Sequence, residues 1–135
     1  MDAEGFVAKV TLAIIAREGR ILLVHRKLPM FRVEWAFPSG VMKQGETEEE
    51  AVVREMKERL DIDVKVVKKI LERKHPDTLV QIVYFHCDQI GENEPDIKRP
   101  DKYSEFEWVP AGEVLGRFTS DVHPDIEKFV KSFAK

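Results

Sequence analysis

A segment in the first half of the chain, EEEAVVREMKERL, places carboxylates along one side of a predicted helix. At about 100° per residue, Glu55 and Glu58 fall on one arc that is separate from the apolar arc. Glutamates three residues apart can converge on one hard divalent cation, because Mg²⁺ takes a few protein oxygens and keeps waters and substrate phosphates as further ligands. A solvated charged face, with Glu55 paired to Arg59 four residues later, is the alternative for this helix alone.

A glycine before this helix is followed by glutamates and an arginine at fixed offsets. Counted from Gly40, the residues after six, fourteen, fifteen, sixteen, eighteen and twenty-two steps are Glu46, Arg54, Glu55, Met56, Glu58 and Ile62. The series resembles the Nudix box, which is written G-x5-E-x7-R-E-U-x-E-E-x-G-U with U an aliphatic residue. Five specified residues at fixed offsets should coincide by chance about once in ten thousand chains of this length. An unrelated domain with an accidental charge pattern is therefore rejected.

The resemblance implies a fold, a reaction and a cofactor. It implies a single Nudix domain over residues 1–135, with the box at 40–62, folded as an α/β/α sandwich around a mixed β-sheet. It also implies a hydrolase that cuts a diphosphate linkage in a nucleoside diphosphate joined to a further group, with Mg²⁺ or Mn²⁺ as cofactor. The substrate is then a small nucleotide such as a nucleoside triphosphate, a nucleotide sugar or ADP-ribose.

Family roles carry over to this chain position by position. By resemblance, Glu55 and Glu58 are metal ligands, and Glu55 is also a candidate base for the attacking water. Arg54 would orient these carboxylates, Glu46 would support the same network, and the backbone at Ser39 would face the metal. Such a site is chemically coherent, since a cation neutralises phosphate oxygens and stabilises charge that builds in the transition state.

The chain departs from the family pattern at three positions. Arg59 stands where the last glutamate of the box is expected, Asp61 replaces the glycine after the helix, and Ser39 replaces the first of two common glycines. Arg59 can turn outward on its long stem, bind a substrate phosphate with its planar guanidinium, or pair with Glu55 and Glu58 and abolish the metal site. The last outcome predicts a nucleotide- or partner-binding module in place of a hydrolase.

Residues before the box are further candidates for substrate contacts. Arg26, Lys27 and Arg32 follow the second predicted strand and could guide an anionic ligand, although exposed basic residues often do nothing specific. Trp35 and Phe37 could stack on a nucleotide base, and packing in the core is the alternative use of such aromatic side chains.

Strands on both sides of the helix predict a layered α/β domain with a mixed sheet. A hairpin is predicted from Phe6–Ala16 and Arg20–Lys27, an antiparallel pair from Ile62–Lys74 and Thr78–Asp88, a functional or mobile loop from Gln89 to Tyr103, and a short strand and two helices after it. The turn between the antiparallel strands is predicted at HPD, residues 75–77.

Composition limits the class of protein. The chain has 135 residues and a net charge of −3 at pH 7, which argues against extended nucleic-acid binding because that needs a clustered excess of Lys and Arg. No stretch has the pattern of a membrane span or signal peptide, so a cytoplasmic location is expected. Cys87 is the only cysteine, which excludes an internal disulfide. A homodimer would be unsurprising for a small enzyme.

Overall fold

The structure is a computed structural model that describes residues 8–27, 33–74, 80–118 and 122–134. The strands are β1 (Lys9–Arg17), β2 (Arg20–Lys27), β3 (Val33–Ala36), β4 (Ser39–Val41), β5 (Asp63–Lys74), β6 (Gln81–Ile90) and β7 (Tyr103–Pro110). The helices are α1 (Glu48–Leu60) and α2 (Pro124–Lys131), and two short 3₁₀ helices, Ala111–Glu113 and Leu115–Arg117, lie between β7 and α2.

The strands of the described chain form one mixed sheet with β1 near its centre. The path through the sheet is β3-β2-β1-β6-β5, while β4 pairs with β1 and β7 pairs with β2. β1 and β6 run parallel, and the other pairs are antiparallel. One edge of β1 pairs with two different strands along its length. Val10–Leu12 pair with β4, and Ala16 and Arg17 pair with β2. The predicted mixed sheet is confirmed.

Side chains alternate between the two faces of the sheet, and each face has its own core. On the face covered by α1, Val52, Met56 and Leu60 pack with Ala13 and Phe85. On the opposite face, α2 inserts side chains of its own into a second apolar cluster: Ile126 and Val130 pack with Ile14, Ile21, Leu23 and Val109. The predicted α/β/α arrangement is confirmed, with the box helix on one face alone.

Local sequence defines both ends of α1. The Thr47 side chain accepts a hydrogen bond from the Glu50 N–H, and the Glu50 side chain accepts one from the Thr47 N–H, which together form a capping box. Asp61 ends the helix in the left-handed conformation, at φ 55° and ψ 38°. Aspartate tolerates this region better than most residues do, so the replacement of the expected glycine leaves the helix end intact.

One segment differs from its prediction, and the loop after β6 has a position that the sequence did not predict. The segment before the helix was predicted as turn-rich, but it contains the strands β3 and β4. These strands are stabilised by pairing with β2 and β1, whereas the local residues Pro38 and Gly40 favour turns. The loop after β6 is docked on the end of α1, where the Asp96 N–H donates to the Leu60 carbonyl at 2.8 Å and the Lys98 N–H donates to the Arg59 carbonyl at 2.9 Å. It thereby caps carbonyls that a helix end leaves unpaired.

The predicted hairpin and antiparallel pair are present as β1–β2 and β5–β6. Phe6 and the HPD turn at residues 75–77 lie outside the described residues. Within the described ranges, neither helix has the length and apolar character needed to cross a membrane.

Candidate active site

Arg54 joins the carboxylates of the box. Its Nε donates to Oε2 of Glu46 and its Nη2 to Oε1 of the same carboxylate, at 2.5 and 3.0 Å, and Nη2 also donates to the Val41 carbonyl at 3.0 Å. Its Nη1 donates both to Oε1 of Glu55 and, at 3.2 Å, to Oε1 of Glu58. One planar guanidinium therefore brings Glu55 and Glu58 together and ties both to the loop before the helix.

The charges in this network reinforce one another. Hydrogen bonds from Arg54, with a further one from the Lys43 N–H, hold the pKa of Glu46 at about 2. The same contact with Glu46, followed by the contact with Glu55, raises the pKa of Arg54 above its ordinary value. Arg54 and Glu46 are therefore both ionised throughout the neutral pH range.

Glu55 lies in a space that a glycine leaves open. The residue is only 5% exposed. A Cβ placed on Gly40 would come within 1.8 Å of Oε2 of Glu55, which no real contact allows, so glycine at position 40 is required for this approach. Oε2 is buried and accepts no hydrogen bond from the described residues. This oxygen becomes available to a ligand when the Arg59 side chain, which approaches it without a hydrogen bond, moves away.

Arg59 points inward. Its Nε lies 2.7 Å from Oε2 of Glu55, although the N–H is not aligned for a hydrogen bond, and its side chain is 15% exposed. Its Nη1 donates to the Tyr103 hydroxyl at 3.3 Å. Of the three arrangements that the sequence left open, an outward turn is wrong, and pairing occurs with Glu55 while Glu58 pairs with Arg54.

Tyr103 belongs to this site and was missed by the sequence analysis. It is 1% exposed, and its hydroxyl donates to the Ser39 carbonyl at 2.8 Å and accepts from the Ser39 N–H at 3.0 Å. It thus holds β4 and the Arg59 side chain together. Tyr103 comes 64 residues after Ser39, and nothing in its own surroundings signals that β7 passes beside the box. The Ser39 backbone, which was predicted to face the metal, is held by this hydroxyl.

The NUDIX domain family model matches residues 5–133. The chain belongs to the NUDIX family. An ADP-ribose pyrophosphatase of Methanocaldococcus jannaschii is 36% identical over 100 residues, which cover 70% of this chain and 57% of that protein. An RNA pyrophosphohydrolase of Hydrogenovibrio crunogenus is 32% identical over 63 residues, covering 47% of this chain and 36% of that protein. The chain thus spans about half the length, or less, of these two relatives.

A solved NUDIX hydrolase from Nitrosomonas europaea has the same fold. It superimposes with a TM-score of 0.77 at 18% identity, covering 93% of this chain and 71% of the other. Likeness at this identity supports the fold alone. The relatives' names, a pyrophosphatase and a pyrophosphohydrolase, agree with the predicted class of hydrolase that acts on pyrophosphate bonds.

NUDIX proteins generally use divalent metal ions, which bind to carboxylate oxygens. Within the described ranges there is no group of three or more His, Cys, Asp or Glu side chains able to hold a metal. Glu55 and Glu58 nevertheless meet at one Arg54 atom, and Oε2 of Glu55 lacks a hydrogen bond. Mg²⁺ commonly takes one or two carboxylates together with waters and substrate phosphates. The site therefore fits a divalent ion that binds together with a phosphate substrate.

Two further predicted substrate contacts, Arg26 and Trp35, lie on the paired strands β2 and β3, and Arg26 is also opposite Tyr103 of β7. Arg26 is exposed on β2. Trp35 is half-buried, stacks on His25 at 4.7 Å between ring centroids, and packs against the cluster on the α2 face. Phe37 is buried in the same cluster, and Arg32 lies outside the described residues. Substrate contacts by Arg26 and Trp35 stay predictions.

Proposed function

We propose that this NUDIX protein hydrolyses a pyrophosphate bond in a small nucleotide of the nucleoside diphosphate-X class, with Mg²⁺ or Mn²⁺ as cofactor. The observation that carries the proposal is the Arg54 network, in which one guanidinium binds Glu46, Glu55 and Glu58 at the spacing of the box. The relatives named as a pyrophosphatase and a pyrophosphohydrolase support the same reaction class.

Glu55 and Glu58 would hold the ion. When bound, the ion would neutralise phosphate charge and lower the pKa of water in the site. Glu55, whose Oε1 is fixed by Arg54, is the proposed base that takes a proton from the attacking water. Glu46 acts through Arg54, because it occupies two of the guanidinium's donors and so fixes its orientation. Arg26 and Trp35 are proposed to contact parts of the substrate away from the bond that breaks.

Arg59 is proposed to bind a phosphate of the substrate. Glu55, Glu58 and Arg59 occupy the three positions of the box where metal ligands are expected, and together they have a charge of −1. Three glutamates at these positions would have a charge of −3. This smaller negative charge weakens attraction for a cation and repels a diphosphate less. The Arg59 Nε is not aligned with Oε2 of Glu55, so the side chain gives up no hydrogen bond there when it moves onto a phosphate. Such a move would also leave Oε2 open to the ion.

The test is a hydrolysis assay on a panel of compounds. Nucleoside triphosphates, nucleotide sugars, ADP-ribose, dinucleoside polyphosphates and a 5′-triphosphorylated RNA oligonucleotide would each be incubated with Mg²⁺ or Mn²⁺ and with native protein or Arg59→Glu. Turnover by the native protein supports the proposal and identifies the substrate class. No turnover by the native protein, together with activity in Arg59→Glu, would mean that Arg59 disables the site and that binding is the function to test next.

A further inference from the structure

Two buried side-chain oxygens lack a hydrogen-bond partner among the described residues, namely Oγ1 of Thr11 and Oε2 of Glu55. Thr11 is 0% exposed and Glu55 is 5% exposed. An unpaired buried polar group destabilises a folded protein, so each such group calls for an explanation. Both oxygens lie on the face of the β1–β4 pair that α1 covers, since Thr11 is in β1 and Oε2 of Glu55 approaches Gly40 of β4.

Thr11 faces α1. Side chains alternate along β1, so Lys9, Thr11, Ala13 and Ile15 share a face. Lys9 on this face reaches Glu48 at the start of α1, with Nζ 2.8 Å from Oε2. Ala13 and Ile15 lie in the apolar cluster that contains the buried side chains of α1. Thr11, between them, is therefore directed at the helix.

Gly40 links Thr11 to Glu55. Thr11 and Gly40 are directly opposite each other in the antiparallel pair of β1 and β4. Side chains at opposed positions share a face, and their Cβ atoms lie about 4.5–5.5 Å apart. Oε2 of Glu55 lies 1.8 Å from the place where a Gly40 Cβ would be. The Thr11 hydroxyl, which makes no direct hydrogen bond to Oε2, is therefore within reach of it across one water.

We propose that the Thr11 hydroxyl is joined to Oε2 of Glu55 by one buried water, to which the hydroxyl donates and which donates to the carboxylate. Arg54 already fixes Oε1, so a donor at Oε2 sets the rotation of the whole carboxylate. Thr11 is then a positioning residue for Glu55. Its importance for turnover rests on the proposed function, whereas the contact itself does not.

The sequence around Thr11 agrees with this role. The neighbouring residues of β1 are apolar, in the run VTLAII, and the hydroxyl is the one polar group in it. Valine has nearly the same shape as threonine, so packing alone gives no reason for the hydroxyl. The backbone of β1 at Thr11 is paired with β4 on one side and with β6 on the other.

The experiment compares Thr11→Val and Thr11→Ser with Ile15→Val, a control on the same strand and face. We expect Thr11→Val to lower the Tm by several degrees and kcat about tenfold, with KM unchanged, because a hydrogen bond to a charged group is lost. Thr11→Ser should recover kcat, since it keeps the hydroxyl. Ile15→Val should lower the Tm with kcat unchanged. A higher Tm for Thr11→Val would overturn the proposal, because it would mean that the hydroxyl is truly unpaired.

A high-resolution crystal structure of the native protein separates this inference from the proposed function. One water within about 3.2 Å of both Oγ1 of Thr11 and Oε2 of Glu55 supports the contact. Absence of such a water overturns it. If the native protein hydrolyses none of the compounds in the panel, the proposed function fails, while the crystal structure and the Tm values still decide the contact.

Discussion

The two faces of the sheet are built differently. On the α2 face, the buried cluster is apolar, and α2 adds Ile126 and Val130 to it. The two buried polar residues of the described chain, Thr11 and Glu55, both lie on the α1 face. Burying a carboxylate lowers stability unless the carboxylate is paired, and Glu55 is paired with Arg54 and Arg59. The contrast indicates that the α2 face is an apolar core, while the α1 face combines a core with the charged network of the candidate site.

Polar contacts across the α1 face support the same distinction. At the start of the helix, Lys9 and Lys69 alternate with Glu48 and Glu72 at N···O distances of 2.7–3.6 Å and tie β1, α1 and β5 together. On the α2 face, contacts between aromatic rings take the place of these ion pairs. Phe129 and Phe133 pack edge-on to each other and to His86. Mutations on the α2 face should therefore lower stability alone, whereas mutations on the α1 face should also lower turnover.

The largest expected effect is on the α1 face. Glu55→Gln should lower kcat about 10²–10⁴-fold, because the amide cannot act as a base and is a poorer metal ligand. Unfolding should remain cooperative, since the side chain keeps its size. Steady-state kinetics on the substrate found in the panel would measure this. Glu127→Gln, which removes an exposed pair with Lys131 on α2, is the matched control and should leave kcat unchanged. Nearly native turnover by Glu55→Gln would show that Glu55 is not the base.

Truncation of one core residue on each face tests the contrast directly. Ile126→Ala and Met56→Ala each remove a fully buried side chain and should lower the free energy of unfolding by about 2–5 kcal/mol. Met56 follows Glu55 in α1, so its loss should also lower kcat, measured well below the Tm. Ile126→Ala should leave kcat of the folded protein unchanged. An equal loss of kcat in both variants would contradict the separation of the faces. Urea denaturation and kinetics on the same samples provide the measurements.

The Nudix-box spacing predicted the residues of the site that lie close in sequence. Glu46, Arg54, Glu55 and Glu58 were all picked out because the helix period and the box motif fix their relative positions. The strand pairing that brings Thr11 opposite Gly40 and Tyr103 beside Ser39 is non-local, so neither Thr11 nor Tyr103 could be recognised. The fold class followed from the order of elements, but the docking of the 91–102 loop on α1 did not.

The direction of Arg59 was also beyond the sequence, because it depends on Tyr103 and on the space around Glu55. If Arg59 binds a substrate phosphate, Arg59→Ala should raise KM about tenfold or more, the effect of losing one charge-assisted hydrogen bond, and change kcat less. Arg59→Lys should recover only part of the affinity, since an ammonium cannot bind two oxygens in the guanidinium's geometry. The control on the α2 face is Lys131→Ala, which removes a cation from an exposed pair with Glu127 and should leave KM unchanged. A lower KM for Arg59→Ala would instead mean that Arg59 obstructs the site.

The smallest expected effect is a change in the pKa of a glutamate that is paired with an arginine. One such pair lies on each face of the sheet. Arg54 holds the pKa of Glu46 at about 2, and Arg117 on the α2 face lowers the pKa of Glu107 through two hydrogen bonds. The folded pKa of Glu46 lies below its usual 4.5, so its contribution to stability is present above pH 4.5 and is lost as the pH falls towards 2. Carboxyl NMR titration would measure both values.

Arg54→Lys should raise the pKa of Glu46 and leave that of Glu107 unchanged, and Arg117→Lys should do the reverse. Only the first of these variants should also lower kcat, because only Arg54 connects its glutamate to Glu55 and Glu58. If Arg117→Lys lowered kcat as well, the two faces would be coupled through the sheet. The α2 face would then have to be counted as part of the catalytic apparatus and not as its support.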